Sequence, residues 1–198
     1  MLGMMWPRSS LPHTPPGGRP GRQAPPKHML KCLALAAITV AAAGVGGAQP
    51  GSVPAHVGRV NDFAHLLPEG DRAVLERTLA GYEEETSHQI AVLTVSSLKG
   101  ESIESYSLRV ANTWRLGRKG LDDGVLVTVA PSERAVRIEV GVGMSRYVTD
   151  ADAKDVISRS MIPAFRRGDM AGGIKSGVER LLILCRAYRV DRRQLAGH

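Results

Sequence analysis

Three aspartates offer this chain its most evident chemistry. Asp122 and Asp123 stand side by side, directly before a run of β-type residues, and Asp150 follows the Gly141-Val142-Gly143 stretch. Hard cations such as Ca²⁺ take about six to eight oxygens from carboxylates, main-chain carbonyls and water. Two or three aspartates in loops, with glycine nearby so that carbonyls can approach, are the beginning of such a site. The plainer alternative is that Asp122-Asp123-Gly124 is a turn and Asp150 a helix cap.

Phosphoryl chemistry would require groups that stabilise the transition state and supply a nucleophile. A bound metal with an aspartate-rich loop can activate water, which makes Asp122 and Asp123 the candidate catalytic pair. Arg118, Lys119 and Arg146 are candidates to hold phosphate oxygens; the alternative for each is an exposed, solvated charge. No Walker-type loop is present, and Gly141 to Arg146 (GVGMSR) does not match the dinucleotide fingerprint. The histidines show no metal-ligand spacing, which speaks against zinc. His88 begins a strand on the same edge as Asp122, with a satisfied loop histidine as the competing reading.

The elements that must position these groups follow from periodicity. Val125 to Val129 is a continuous apolar run, as in a strand buried on both faces. Ala135 to Val140 alternates, with Val136, Ile138 and Val140 facing one way and Arg137 and Glu139 the other, which reads as a strand with one wet face. Pro131-Ser132-Glu133 supplies turn chemistry between them. An antiparallel hairpin brings the start of its first strand beside the end of its second, so Asp122-Asp123-Gly124 and Gly141-Val142-Gly143 are expected neighbours.

Upstream, Val74, Leu75, Thr78, Leu79 and Tyr82 mark one face of a helix from about Glu69 to Glu85. Gln89 to Val95 reads as a buried strand. A second helix runs from about Ile103 to Leu116, capped by Ser102 and ended by Gly117-Arg118-Lys119-Gly120. A third starts at Thr149 or Asp150, with Asp152 in its first turn and Val156, Ile157 and Met161 inward, and Pro163 is expected to end it. Asp169 is placed to cap a fourth, whose stripe is Ile174, Val178, Leu181, Leu182 and Cys185. Strand 89–95, helix 103–116 and strand 125–129 make one parallel βαβ unit with a right-handed crossover. The expected fold class is α/β: a three-layer α/β/α sandwich with a small mixed sheet, the βαβ unit plus the antiparallel hairpin.

The formal charge of +7 in 198 residues suggests nucleic acid or membrane. It dissolves on inspection, because all 19 acidic residues follow residue 48 while five of the 26 basic ones precede it. No basic stripe with interleaved aromatics appears, so nucleic-acid binding is not expected. Residues 1–28 are rich in Pro, Gly and Arg and read as disordered or as a non-native extension ahead of a true start at Met29. Lys31, the apolar run Leu33 to Val45 and the small residues Gly46-Gly47-Ala48 read as a signal peptide, 29–48, with an uncleaved anchor as the alternative. A linker, 49–56, leads to a domain at 57–185 and a polar tail at 186–198. Of two cysteines, Cys32 lies in the leader, so Cys185 is left as a lone thiol, read as a small buried hydrophobe.

The succession VNDFAHLL, QIAVLTV, WRLGRKGLDDGVLVTVAPSERAVRIEVGVG, VTDADAKDVI and IPAFRRGDMAGGIKSGVERL resembles the TPM domain family. The family takes its name from a thylakoid lumen protein, a photosystem II repair protein and a nematode receptor modulator. The resemblance runs from about Val57 to Leu184. It implies an extracytoplasmic setting, periplasmic or secreted, which agrees with the leader. It also implies acid phosphatase activity, divalent-metal binding, calcium especially, or assistance to membrane protein complexes. Asp62 matches an acidic position of the family and joins Asp122, Asp123 and Asp150 as a candidate metal ligand; a cap or turn is its alternative. Many bacterial relatives continue into a transmembrane helix and a Gly-rich tail, which this sequence lacks. Where the family commonly shows Gly-Leu-Glu-Gly, this chain has Gly143-Met144-Ser145-Arg146, so a carboxylate is missing and a cation stands beside its place.

Two functions are therefore expected. One is an exported, Ca²⁺- or other divalent-cation-binding module that acts on or assists envelope or membrane protein complexes. The other is a metal-assisted acid phosphatase that hydrolyses phosphate monoesters.

Overall fold

Gln89–Thr94 and Gly124–Ala130 run parallel through the middle of the sheet, and almost every residue in them is buried. In the computed structural model of the chain, which describes Met4–Met5 and residues 52–195 with side chains as far as 186, the strands are β1 (Met4–Met5), β2 (Val60–Asp62), β3 (Gln89–Thr94), β4 (Gly124–Ala130) and β5 (Ala135–Val140). Their spatial order is β1-β5-β4-β3-β2. The pairs β2/β3 and β3/β4 are parallel, while β4/β5 and β1/β5 are antiparallel. The signal-peptide segment 29–48 lies outside the described residues. So does 1–28 apart from Met4 and Met5, which pair with Val136 and Ala135.

The helices are α1 (Glu69–Thr86), α2 (Ile103–Trp114), α3 (Asp150–Asp155), α4 (Ile162–Arg166) and α5 (Met170–Leu195), with a π-helical turn at Val156–Met161 between α3 and α4. Successive strand residues point to opposite faces, and the two faces feed two cores. On one side Ile90, Val92, Val125, Val127, Val136 and Ile138 meet α1, α3, α4, the π-helical turn and α5. On the other Ala91, Leu93, Leu126 and Ala130 meet Ile103, Tyr106 and Val110 of α2. The result is the three-layer α/β sandwich with a mixed sheet that the periodicity predicts.

Local chemistry accounts for the helix ends. Ser102 accepts a hydrogen bond from Ser105 N–H and caps α2. Thr149 and Asp152 form a reciprocal capping box at α3. Asp169 Oδ1 accepts from Gly172 N–H at the start of α5. The whole predicted stripe Ile174, Val178, Leu181, Leu182 and Cys185 is buried.

Several expectations are corrected. Pro163 does not end the third helix. Ile162 N–H reaches back five residues to Ile157 O, and this wider turn carries the chain past the proline to Arg166. Val74 is half exposed, so the inward face of α1 is the narrower set Leu75, Leu79 and Tyr82. The Arg137/Glu139 face of β5 is not wet. It lies toward α2, Arg137 is buried, and its Nε donates to Glu139 Oε2 at 2.6 Å. Strand β2 has no expectation to match, because three residues are too few to show a period.

Candidate functional site

The rim formed by the start of β4 and the end of β5 is built by hydrogen bonds that the hairpin imposes. Gly141 N–H donates to Gly124 O at 2.8 Å, and Gly143 N–H donates to Asp122 O at 3.1 Å. The expected neighbours are therefore neighbours. Gly141 and Gly143 are there because of close approach rather than unusual torsions. A Cβ on Gly141 would lie 2.0 Å from Asp122 O, and one on Gly143 would lie 2.0 Å from Leu121 O. Both main-chain carbonyls thus press onto a strip with no side chains.

The loop after α2 folds onto this rim. Arg115 takes a left-handed conformation as the helix ends. Gly117 N–H donates to Gln89 Oε1 at 2.7 Å, tying the loop to the start of β3. Arg118 then turns back on Asp123. Its backbone N–H donates to Oδ1 at 2.7 Å, its Nε to Oδ2 at 2.7 Å, and its terminal nitrogen lies 2.6 Å from Oδ2. Burial of the Asp123 carboxyl pushes its pKa up. The hydrogen bonds and charge from Arg118, with a smaller contribution from His88, outweigh that, and the group titrates below the ordinary aspartate value.

Asp122 differs from its neighbour in exposure and backbone. It is exposed and has φ of 48°, a left-handed conformation that Asp accepts better than most residues. It edges a cavity of about 570 Å³ lined by Asn112, Arg115, Gly117, Arg118 and Lys119. An adjoining cleft of about 300 Å³ shares Asn112 and Asp122 and extends to Glu139 and Val142. Val142 is 80 % exposed, and Leu121 and Leu108 are each about half exposed. The rim thus joins a cation-lined hollow, one solvent-facing carboxylate and a few exposed apolar side chains.

Of the other sequence candidates, His88 stands at this rim, one residue before β3, and the rest line neither cavity. Asp62 pairs in register with Thr94, at the end of β3 opposite Gln89 and Gly124. Six residues of strand, roughly 17 Å, separate it from the Asp122 rim. Its Oδ1 accepts from Leu66 N–H at 3.0 Å and from the Thr94 hydroxyl, and its Oδ2 accepts from Leu67 N–H at 2.9 Å. That is the turn-holding role weighed as its alternative. Asp150 is exposed in the first turn of α3, and the capping role belongs to Thr149 and Asp152. Arg146 is exposed and lines neither cavity. His88 Nδ1 lies 3.3 Å from Tyr82 Oη, and its ring meets Tyr147 edge-on at 5.1 Å. Among the described residues no three of His, Cys, Asp and Glu are grouped closely enough to hold a metal ion together.

Arg115, Asn112 and Gln89 were not candidates in the sequence. For Arg115 a signal existed: a cation just past the end of a helix, two residues before a glycine that turns the chain. Gln89 carried none, because a glutamine opening a strand reads only as its first residue.

The sequence profile described as TPM domain matches residues 60–182. Among solved structures, the chain is similar to the N-terminal domain of a protein from P. gingivalis, with 30 % identity and a TM-score of 0.60 over 63 % of this chain and 80 % of that one. It is also similar to the N-terminal domain of the cg2496 protein of Corynebacterium glutamicum, at 19 % identity and a TM-score of 0.51 over 69 % and 85 % of the two chains. BA42 of Bizionia argentinensis matches at 19 % identity and a TM-score of 0.54 over 62 % and 83 %. The last two speak for the fold alone. No curated protein matches the chain.

Proposed function

The chain belongs to the TPM domain family, and on that premise we propose that it is an exported binding module that takes Ca²⁺ or another divalent cation at the Asp122 rim and assists envelope or membrane protein complexes. The observation that carries this reading is the contrast between the two adjacent aspartates. Both oxygens of Asp123 are committed to Arg118, which leaves Asp122 as the solvent-facing carboxylate. Asp123 positions the loop, and Asp122 binds.

One feature supports a weak cation site. Asp122 supplies an exposed carboxylate, while the Leu121 and Asp122 carbonyls pack against Gly143 and Gly141, the Asp122 carbonyl accepting Gly143 N–H. Asp122 and water would hold the ion. One carboxylate supports affinity of the kind found in extracellular modules, about 10⁻⁴–10⁻³ M. Asp62 is held too far away to join it. No helix among the described residues is long and apolar enough to cross a membrane.

A second reading, a phosphatase for phosphate monoesters, is favoured by one observation: Arg115, Arg118 and Lys119 surround the same cavity that Asp122 edges. Cations so placed can neutralise phosphate oxygens. One experiment separates the two: hydrolysis of a chromogenic phosphate monoester by the purified protein, with and without chelator, beside the variants Asp122→Asn and Lys119→Ala. The module reading expects no turnover above the buffer rate in any sample. Chelator-sensitive turnover that Asp122→Asn abolishes would establish the hydrolase instead.

A further inference from the structure

We propose that the outer edge of β5 is a self-complementary docking strand for a second copy of this chain, and that β1 covers part of it. The proposal rests on strand geometry and charge, independently of the cation site. Strand β5 closes the β4 side of the sheet, and the strand beyond it among the described residues is the two-residue β1. Its register is Met4 with Val136 and Met5 with Ala135, so β1 covers two of six positions.

The direction of the main-chain groups follows from the rim bonds. Gly141 N–H donates to Gly124 O, so within β5 the odd-numbered residues make their hydrogen bonds with β4. By alternation, Val136, Ile138 and Val140 direct N–H and C=O to the outer edge. The side chains of these three face the core on the α5 side of the sheet, so an incoming strand meets their main chain rather than their side chains.

The sequence of β5, Ala-Val-Arg-Ile-Glu-Val, is complementary to itself about Ile138. A two-fold axis there sets Ile138 opposite Ile138 of the second copy, Val136 opposite its Val140, and Arg137 opposite its Glu139. Opposite charges directly across a strand pair stabilise it, and the two-fold supplies that pair twice, as a closed isologous interface requires. All three outward residues fall in hydrogen-bonding register, giving about six main-chain bonds. Unprotected edges invite such pairing, and proteins commonly blunt them with a short extra strand. Strand β1 is such a blunt, and Met5 is itself 77 % exposed. Because Val136 would pair with Val140 of the second copy, it cannot keep Met4. Strand β1 and the second copy are mutually exclusive, and processing that removes the segment before residue 49 uncovers the edge.

The test uses the full chain with Met4→Pro/Met5→Pro, which removes strand donors from β1 without touching the domain. Sedimentation velocity over a concentration series is combined with amide hydrogen exchange. The wild type is expected to sediment as a monomer. The double variant is expected to reach twice the chain mass, with exchange at Ile138 and Val140 slowing on the order of tenfold as concentration rises. Glu139→Arg in the same background is expected to return a monomer, and mixing it with Arg137→Glu chains to restore a dimer of the two. A double variant that stays monomeric at its highest soluble concentration overturns the proposal. So does a dimer in which the Ile138 and Val140 amides exchange at the monomer rate.

Discussion

Asp123 receives three contacts from Arg118, one from its backbone and two from its guanidinium, all between 2.6 and 2.7 Å. Only one of the two partners is buried: Asp123 is nearly inaccessible, whereas the Arg118 side chain is 47 % exposed. The pair therefore acts as a latch that fixes residues 118–123 against the start of β4, and solvent softens its Coulomb strength.

Asp123→Asn is expected to destabilise the fold by about 1–2 kcal/mol, because a buried charge-assisted contact is lost while half of the pair already faces water. Chemical denaturation of variant and wild type measures it. The pH dependence has a definite sign. A folded-state pKa below the unfolded one stabilises the protein above the unfolded aspartate value, and that contribution is lost as pH falls through the depressed folded value. Below the ordinary aspartate range, the stability of the wild type is thus expected to approach that of Asp123→Asn.

Gly143→Ala and Gly141→Ala are expected to cost about 1–3 kcal/mol each, since the added methyl meets a carbonyl oxygen at 2.0 Å and the rim must shift. The expected readout is a lower melting temperature. Chemical-shift changes should centre on Leu121 to Gly124, not on the far rim.

Asp62→Ala is expected to destabilise the opposite rim. It removes the acceptor of Leu66 N–H, Leu67 N–H and the Thr94 hydroxyl, at about 1–3 kcal/mol. Any Ca²⁺-dependent stabilisation should survive it. Loss of the Ca²⁺ response in Asp62→Ala, with the fold intact, would move the ion to that rim.

The Cys185 thiol is pushed up to about 11 by burial, which outweighs its hydrogen bond with Tyr82. Little thiolate forms near neutral pH. The peptide carrying Cys185 is expected to stay unalkylated by iodoacetamide in the folded protein and to react on unfolding, as mass spectrometry would show.

What the sequence disclosed, and what it withheld, divides along physical lines. The meeting of Asp122 with Gly143 was legible because an antiparallel hairpin leaves no other arrangement for its ends. The α5 stripe was legible because a 3.6-residue period over three turns is long enough to read. The Arg118–Asp123 latch was not, since its five-residue spacing lies in an irregular turn with no period. Burial of Arg137 depends on where α2 lands, which is a tertiary fact. The separation of Asp62 from the other aspartates hung on β2, whose three residues pair with β3 in parallel and so carry Asp62 to the far end of the sheet.

The central claim is that Asp122, and not its neighbour Asp123 or the distant Asp62, takes a divalent cation. Thermal unfolding of wild type and Asp122→Asn with increasing Ca²⁺ tests it most directly, because Asn keeps the left-handed backbone at 122 while removing the charge. At tenfold excess over the dissociation constant, binding contributes about 1.4 kcal/mol. The wild type is then expected to gain about 3–6 °C, with Asp122→Asn flat across the titration. An equal rise in both proteins, or none in the wild type at ten millimolar Ca²⁺ (about tenfold above the weak end of the expected range), would contradict the claim.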